Sequence, residues 1–93
     1  MPNPTSILHE AYELTSGQRQ EDYGRPEDSF GLIARYWSAY LGIEVTKEDV
    51  PLLMILLKVA RQQTSPKRDN LVDIAGYTRT LALILGHDSG CVG

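Results

Sequence analysis

Apolar residues recur every three or four positions through most of the chain, and short stretches rich in Gly, Pro and polar residues interrupt them. Four segments carry the helical period. The first runs from about Thr5 to Gly17; Thr5 or Ser6 can cap it, and Ile7, Leu8, Ala11 and Leu14 form its apolar stripe. The second starts near Pro26, with Glu27 and Asp28 in its first turn, where the helix dipole favours anions. Phe30, Ile33, Ala34, Trp37 and Leu41 mark its buried face, and Gly42 ends it. The third starts within TKEDVP, where Thr46 and Asp49 resemble a capping box with Asp in place of Glu. Pro51 is awkward deep inside a helix, so the regular helix starts near Asp49 or its first turn is kinked. The run LLMILLKVA is apolar nearly all round, which predicts the central and most buried helix. The fourth follows Ser65-Pro66 and ends at Gly86, with Leu71, Ile74, Thr78, Leu81, Ala82 and Leu85 facing inward. LGIEVT has strand-forming residues but reads as a link between helices. The pattern predicts an all-α fold, a compact bundle of about four helices, as one domain over residues 1–86 with a flexible tail at 87–93.

Composition adds three constraints. A chain of 93 residues buries only about 60–65% of its unfolded surface, so either its helices pack well or a second copy completes the core. The apolar third helix, with Phe30, Tyr36, Trp37 and Tyr40 on the second, favours the second copy and predicts a homo-oligomer, at least a dimer. The net charge is −3, from nine Lys+Arg against twelve Asp+Glu. That argues against general nucleic-acid binding, which needs a basic surface, but leaves room for a small anionic ligand held by a local cation cluster. The single cysteine, Cys91, suits a reducing compartment, and His9 and His87 lie too far apart in sequence to build a Cys/His metal site. MPNPTS lacks the regions of a signal peptide, and the run from Pro51 to Leu57 is too short to span a bilayer. The expectation is a cytoplasmic protein with no membrane association.

The densest polar chemistry lies in KRDNLVDIAGY, residues 67–77. Asp69, Asp73 and Tyr77 follow at i, i+4 and i+8 along one stripe of the fourth helix, with Asn70 beside them. Lys58 and Arg61 share a face of the third helix, joined to the fourth by a short turn. One reading is structural: Asp69 or Asn70 caps the helix, Asp73 pairs with Lys58 or Arg61, and the cations otherwise extend to water. The other is a site. Two carboxylates and a carboxamide are oxygen ligands suited to Mg²⁺, and the cations would form a wall for phosphate. Gly76, mid-helix, points to close helix packing. The linker QRQEDYGRPED adds Arg19 and Tyr23 around Gly24; Tyr23 would stack on a base or plug the bundle. Glu10 and Glu13 share a face of the first helix, and His9 has no evident sequence partner.

The series ILHEAYEL, RQEDYGRPEDSFGLIARYW, TKEDVPLLMILLKVAR and RDNLVDIAGY resembles a family of small uncharacterised proteins encoded by bacteriophages and prophages, over about residues 5–85. The resemblance implies residence in the cytoplasm of an infected or lysogenic bacterium. Separately, NLVDIAGYTRTL resembles the ELxDVxxYxxxL helix of the MazG-like all-α nucleotide pyrophosphohydrolases. Those enzymes hold Mg²⁺ with an ExxE pair on one helix and an ExxD pair on another. Asp73 stands at the final Asp of that pattern, and Asn70 stands where the Glu would be, one negative charge short. Glu10 and Glu13 have ExxE spacing but lie on the first helix. The resemblance implies a Mg²⁺-dependent hydrolase of a nucleoside triphosphate. Asp69 and Asp73, with Glu10 or Glu13, would hold metal. Lys58, Arg61 or Arg68 would neutralise phosphate, and Tyr23 or Tyr77 would contact a base. The alternative is a non-catalytic phage accessory protein that binds a host protein or sequesters a nucleotide.

Overall fold

The computed structural model describes residues 6–16 and 24–88. Among them the chain forms α1 (Ile7–Leu14), α2 (Pro26–Leu41), α3 (Asp49–Thr64) and α4 (Arg68–Leu85), with no strand among the described residues. The predicted punctuation produces these limits. Ser6 Oγ accepts the His9 N–H at 3.0 Å and caps α1. Before α3 the capping box closes in both directions: the Thr46 N–H donates to Asp49 Oδ2 at 2.9 Å, and the Asp49 N–H donates to Thr46 Oγ1 at 3.2 Å. Pro51 is tolerated because it lies in the first turn, where backbone N–H groups have no helical partner. Gly42 and Gly86 end α2 and α4 with φ of 74° and 77°, in the left-handed region that glycine enters without cost.

The helices make two layers. α3 and α4 form an antiparallel hairpin; α1 rests on α4, and α2 lies against both hairpin helices. The thinnest dimension is 22 Å, as expected for two layers about 10 Å apart. The core between layers is small: Ala34, Val45 and Val50 are buried, with Phe30, Ile33, Trp37 and Met54 packed on them. Ser38 ties the α2–α3 link to this core. Its hydroxyl accepts the Val45 N–H at 2.8 Å and donates to the Ala34 carbonyl at 2.7 Å. Ala11 and Val72 are buried in the α1–α4 contact zone, Val72 completely.

Several expected faces turn out differently. α3 is not the most buried helix: Leu52, Leu53, Leu56, Leu57 and Val59 are all exposed. Its neighbours, α2 and α4, cover one side of a helix that is apolar on both. In α4 the residues turned inward are Asn70, Val72, Gly76 and Thr80, while Leu71, Thr78 and Leu85 are exposed. Leu8, Leu14 and Leu41 also leave their predicted stripes for the surface. Trp37 packs on the core, but Tyr36 and Tyr40 do not. No helix among the described residues is long and apolar enough to cross a membrane.

Candidate functional site

Between the end of α1, the head of α2 and the inner face of α4 lies a cleft of about 360 Å³. Leu14 and Thr15 form one wall, and Gly24, Pro26, Ser29, Phe30 and Ile33 form another. α4 supplies the floor with Val72, Asp73, Gly76, Tyr77 and Thr80, which follow one another at helical spacing. The Phe30 and Tyr77 rings meet at 6.4 Å between centroids, tilted by 55°. Arg25, between the cleft residues Gly24 and Pro26, is exposed, and its pKa is raised by a hydrogen bond to Asp28, then by the charges of Asp28 and Glu27.

Asp73 is the carboxylate in this cleft, and its partner is Lys58. The Lys58 Nζ donates to Asp73 Oδ2 at 2.9 Å, with side chains 20% and 27% exposed. The predicted pairing across the hairpin is therefore made by Lys58; Arg61, one turn on, is exposed. Tyr77 stands one turn beyond Asp73 in the same floor, as expected. Asp69 does not join them. It lies in the exposed first turn of α4 and has no bonded partner among the described residues.

Asn70 serves the turn between α3 and α4 instead of capping the helix. Its Nδ2 donates to Gln62 Oε1 and to the Ser65 carbonyl, both at 3.0 Å, and Gln62 Oε1 also accepts the Lys67 N–H at 3.1 Å. Both amide hydrogens are thus committed, in a residue only 7% exposed. A glutamate at 70 would have no hydrogen to give and would set its charge against a carbonyl. That gives Asn a structural reason to stand at this position.

The other predicted acidic residues are apart from Asp73. Glu10 accepts from Arg68 Nη1 at 2.6 Å, an exposed pair that ties α1 to the head of α4. Glu13 pairs with His9 at 3.0 Å, so His9 does have a partner, one turn along α1. Among the described residues no three His, Cys, Asp or Glu side chains are grouped to hold a metal ion. Arg19, Tyr23 and Cys91 lie outside the described residues.

Sequence reasoning passed over Arg79. Its Nη1 donates to the Thr15 carbonyl, Thr15 Oγ1 and Ser16 Oγ at 3.0, 2.9 and 2.6 Å. Its guanidinium lies 4.3 Å from the centre of the Tyr12 ring, in cation–π range. It fixes the C-terminal end of α1, hence the Leu14–Thr15 wall of the cleft. The signal was present as an arginine within the apolar run of α4. Gly76 sits under Thr15, and a Cβ there would meet Thr15 Cγ2 at 3.7 Å. The approach is ordinary contact, looser than the predicted close packing.

Residues 6–84 match the family model described as Domain of unknown function (DUF6378). Two relatives are each named Gene 55 protein. That of Mycobacterium phage L5 is 47% identical over 78 residues, covering 82% of this chain and 50% of the relative. That of Mycobacterium phage D29 is 47% identical over 73 residues, covering 77% and 48%. The chain thus spans about half the length of these phage proteins. No solved structure matches it. The chain belongs to the DUF6378 family, which its relatives place among bacteriophage proteins.

Proposed function

We propose that this member of a phage protein family binds a nucleotide-class ligand in the cleft between α1, α2 and α4, with the base against Phe30 and Tyr77. The observation that carries the reading is the placement of Asp73. It is a carboxylate on the floor of a largely apolar, aromatic-walled cleft, with a lysine on one of its oxygens. Such pockets combine apolar walls with a few fixed polar groups that set orientation. The remaining Asp73 oxygen can accept N–H donors of a base edge. Thr15, Ser29 and Thr80 add hydroxyls, and Lys58 brings positive charge close to the cleft for a phosphate.

Binding without turnover is the version these residues favour. The MazG-like resemblance calls for grouped carboxylates around Mg²⁺. Here Glu10, Glu13 and Asp73 are each engaged with a cation or His9, and Asp69 is apart. The described residues do not supply the donor set that metal-assisted hydrolysis needs. A phage accessory protein that sequesters a nucleotide needs only the cleft.

The test is a panel of nucleosides and their mono-, di- and triphosphates, with and without Mg²⁺, followed by thermal shift and by product formation. A shift without turnover, lost in Asp73→Asn and Tyr77→Leu, is expected. Turnover would replace this reading with a pyrophosphohydrolase. The absence of both would leave a host protein as the partner and overturn the nucleotide proposal.

A further inference from the structure

We infer, building on the nucleotide reading of the same cleft, that the site selects guanine among the bases. The choice follows from what each polar group in the lining has left to offer. A hydroxyl gives one hydrogen and accepts two. The Thr80 hydroxyl gives its hydrogen to the Gly76 carbonyl at 3.0 Å. The Thr15 hydroxyl gives its own to the Ala11 carbonyl at 2.8 Å and accepts Arg79 Nη1 at 2.9 Å. The Ser29 hydroxyl faces the Arg25 carbonyl at 3.4 Å, a long contact. The head of α2 is no richer in donors. Pro26 has no N–H, and the Asp28 and Ser29 amides go to the Arg25 carbonyl at 3.0 and 3.1 Å. Among the described side chains that line the cleft, the Tyr77 hydroxyl is the donor whose hydrogen is not committed.

What remains is a set of acceptors centred on Asp73. A carboxylate accepts at about four lone-pair positions. Lys58 Nζ, from outside the lining, takes one of them on Oδ2 at 2.9 Å. Oδ1 and the other lone pair of Oδ2 are left for two neighbouring donors. Lys58 also balances the carboxylate charge. A neutral N–H donor therefore fits better than an ammonium or a guanidinium, which would set a second positive charge beside the lysine. The matching ligand group is planar and uncharged, with adjacent N–H donors, and Phe30 and Tyr77 give it an aromatic surface. A cleft of about 360 Å³ is near the lower end of ligand pockets, about 300–1,000 Å³. That size suits a base whose sugar and phosphates stay at the mouth.

Guanine carries that set on its pairing edge. Its ring N–H and its exocyclic amine stand side by side, with one carbonyl next to them. The two donors match the two carboxylate oxygens, and the Tyr77 hydroxyl is available for the single acceptor. Adenine and cytosine each offer one amine beside an unprotonated ring nitrogen. Uracil offers one N–H between two carbonyls. In those three at least one lone pair would face the carboxylate with no hydrogen between them, and a polar group left unpaired away from water is costly. A site built to receive an N–H rejects an analogue that lacks it far more strongly than an apolar pocket rejects a change of shape.

Titration with the monophosphates of guanosine, inosine, adenosine, cytidine and uridine, followed by NMR, reads the base alone, because all share one phosphate. Inosine differs from guanosine only by the missing exocyclic amine. Its monophosphate should bind at least about tenfold more weakly than that of guanosine, and that of uridine more weakly still. Asp73→Asn exchanges one acceptor oxygen for a donor. It should weaken guanosine monophosphate and abolish its advantage over the inosine compound, with a melting curve to check that the variant is folded; the wild-type comparison stands without it. Equal binding of the guanosine and inosine compounds, or a preference for another base, overturns the guanine assignment and leaves the cleft a nucleotide site. A guanosine preference that persists in folded Asp73→Asn takes specificity away from this carboxylate and also overturns it. Binding of none of the compounds at up to about 1 mM overturns the nucleotide reading and the guanine assignment together.

Discussion

On the side of the α3–α4 hairpin that meets α1 and α2 stand Lys58, Asp73, Thr80 and Arg79, with Gln62 and Asn70 along the seam. On the other side stand Leu52, Leu56, Val59, Leu71 and Ile74. The first set is buried or half-buried for the most part, and the second is largely open. Polarity and burial are therefore inverted relative to a lone globular chain. The inner set is tolerable because its members find partners: lysine on carboxylate, amide on amide and carbonyl, the Thr80 hydroxyl on the Gly76 carbonyl, and the Arg79 Nη1 on Thr15 and Ser16 at the end of α1. The outer set has no cover among the described residues. The difference teaches that one hairpin face specifies this chain's own fold, while the other contributes little to it.

That contrast can be broken by mutation. Changes on the inner side should alter stability; changes at exposed positions should leave it nearly unchanged. The largest inner effect is expected from Asn70→Ala, which strips the Ser65 carbonyl and Gln62 Oε1 of their shared donor. It should cost about 2–3 kcal/mol in urea denaturation. A loss under about 0.5 kcal/mol would mean the turn holds without its amide. Asp73→Asn comes next. The pair is neither open nor fully buried, so the cost should fall between that of exposed and buried bridges, at about 1–2 kcal/mol. A double cycle with Lys58→Met that shows no coupling would reduce the pair to coincidence.

Gly76→Ala should change stability in the opposite direction. A methyl group there makes only ordinary contact with Thr15, and removing a mid-helix glycine should raise stability by about 0.5–1 kcal/mol. A lower melting temperature would show that the α1–α4 approach is tighter than the distances indicate. The smallest effect belongs to Arg61→Ala, an exposed position on the same side of α3 as Lys58. Stability in urea denaturation should stay within about 0.5 kcal/mol. A larger loss would mean that Arg61 makes a contact on which the fold depends.

The helices were legible because their ends carry local chemistry. The Thr46–Asp49 box, Gly42 and Gly86 act through bonds within a few residues of themselves. The Lys58–Asp73 contact was legible as well, since a short turn and opposite charges on facing helices leave few other arrangements. The inward faces of α3 and α4 were not. A 3.6-residue period identifies a buried face when one side is apolar, but α3 is apolar on two, and α4 hides Asn70, Gly76 and Thr80 while showing Leu71. Choosing between such faces requires knowing which neighbours exist, and that is a tertiary fact. The commitment of Asn70 to Gln62 and Ser65 was hidden for the same reason: an amide beside two aspartates reads as ligand chemistry until the turn claims its hydrogens. Arg79 touches the end of α1 across more than sixty positions of sequence, a separation at which spacing carries no signal.

α1 has eight residues, too few to hold a helix in water, where about 12–15 are needed even for favourable sequences. Its order is borrowed from α4, through Ala11, the Arg68–Glu10 pair and Arg79 at Thr15. Its amides should therefore exchange with solvent through an opening that costs much less than global unfolding. Leu14 and Thr15, one wall of the cleft, would leave with it. A ligand of the proposed site would then have an entry rate as well as an affinity. A ligand that closes on α1 would register first as slower exchange in residues 7–15, before any change in the melting of the hairpin beneath.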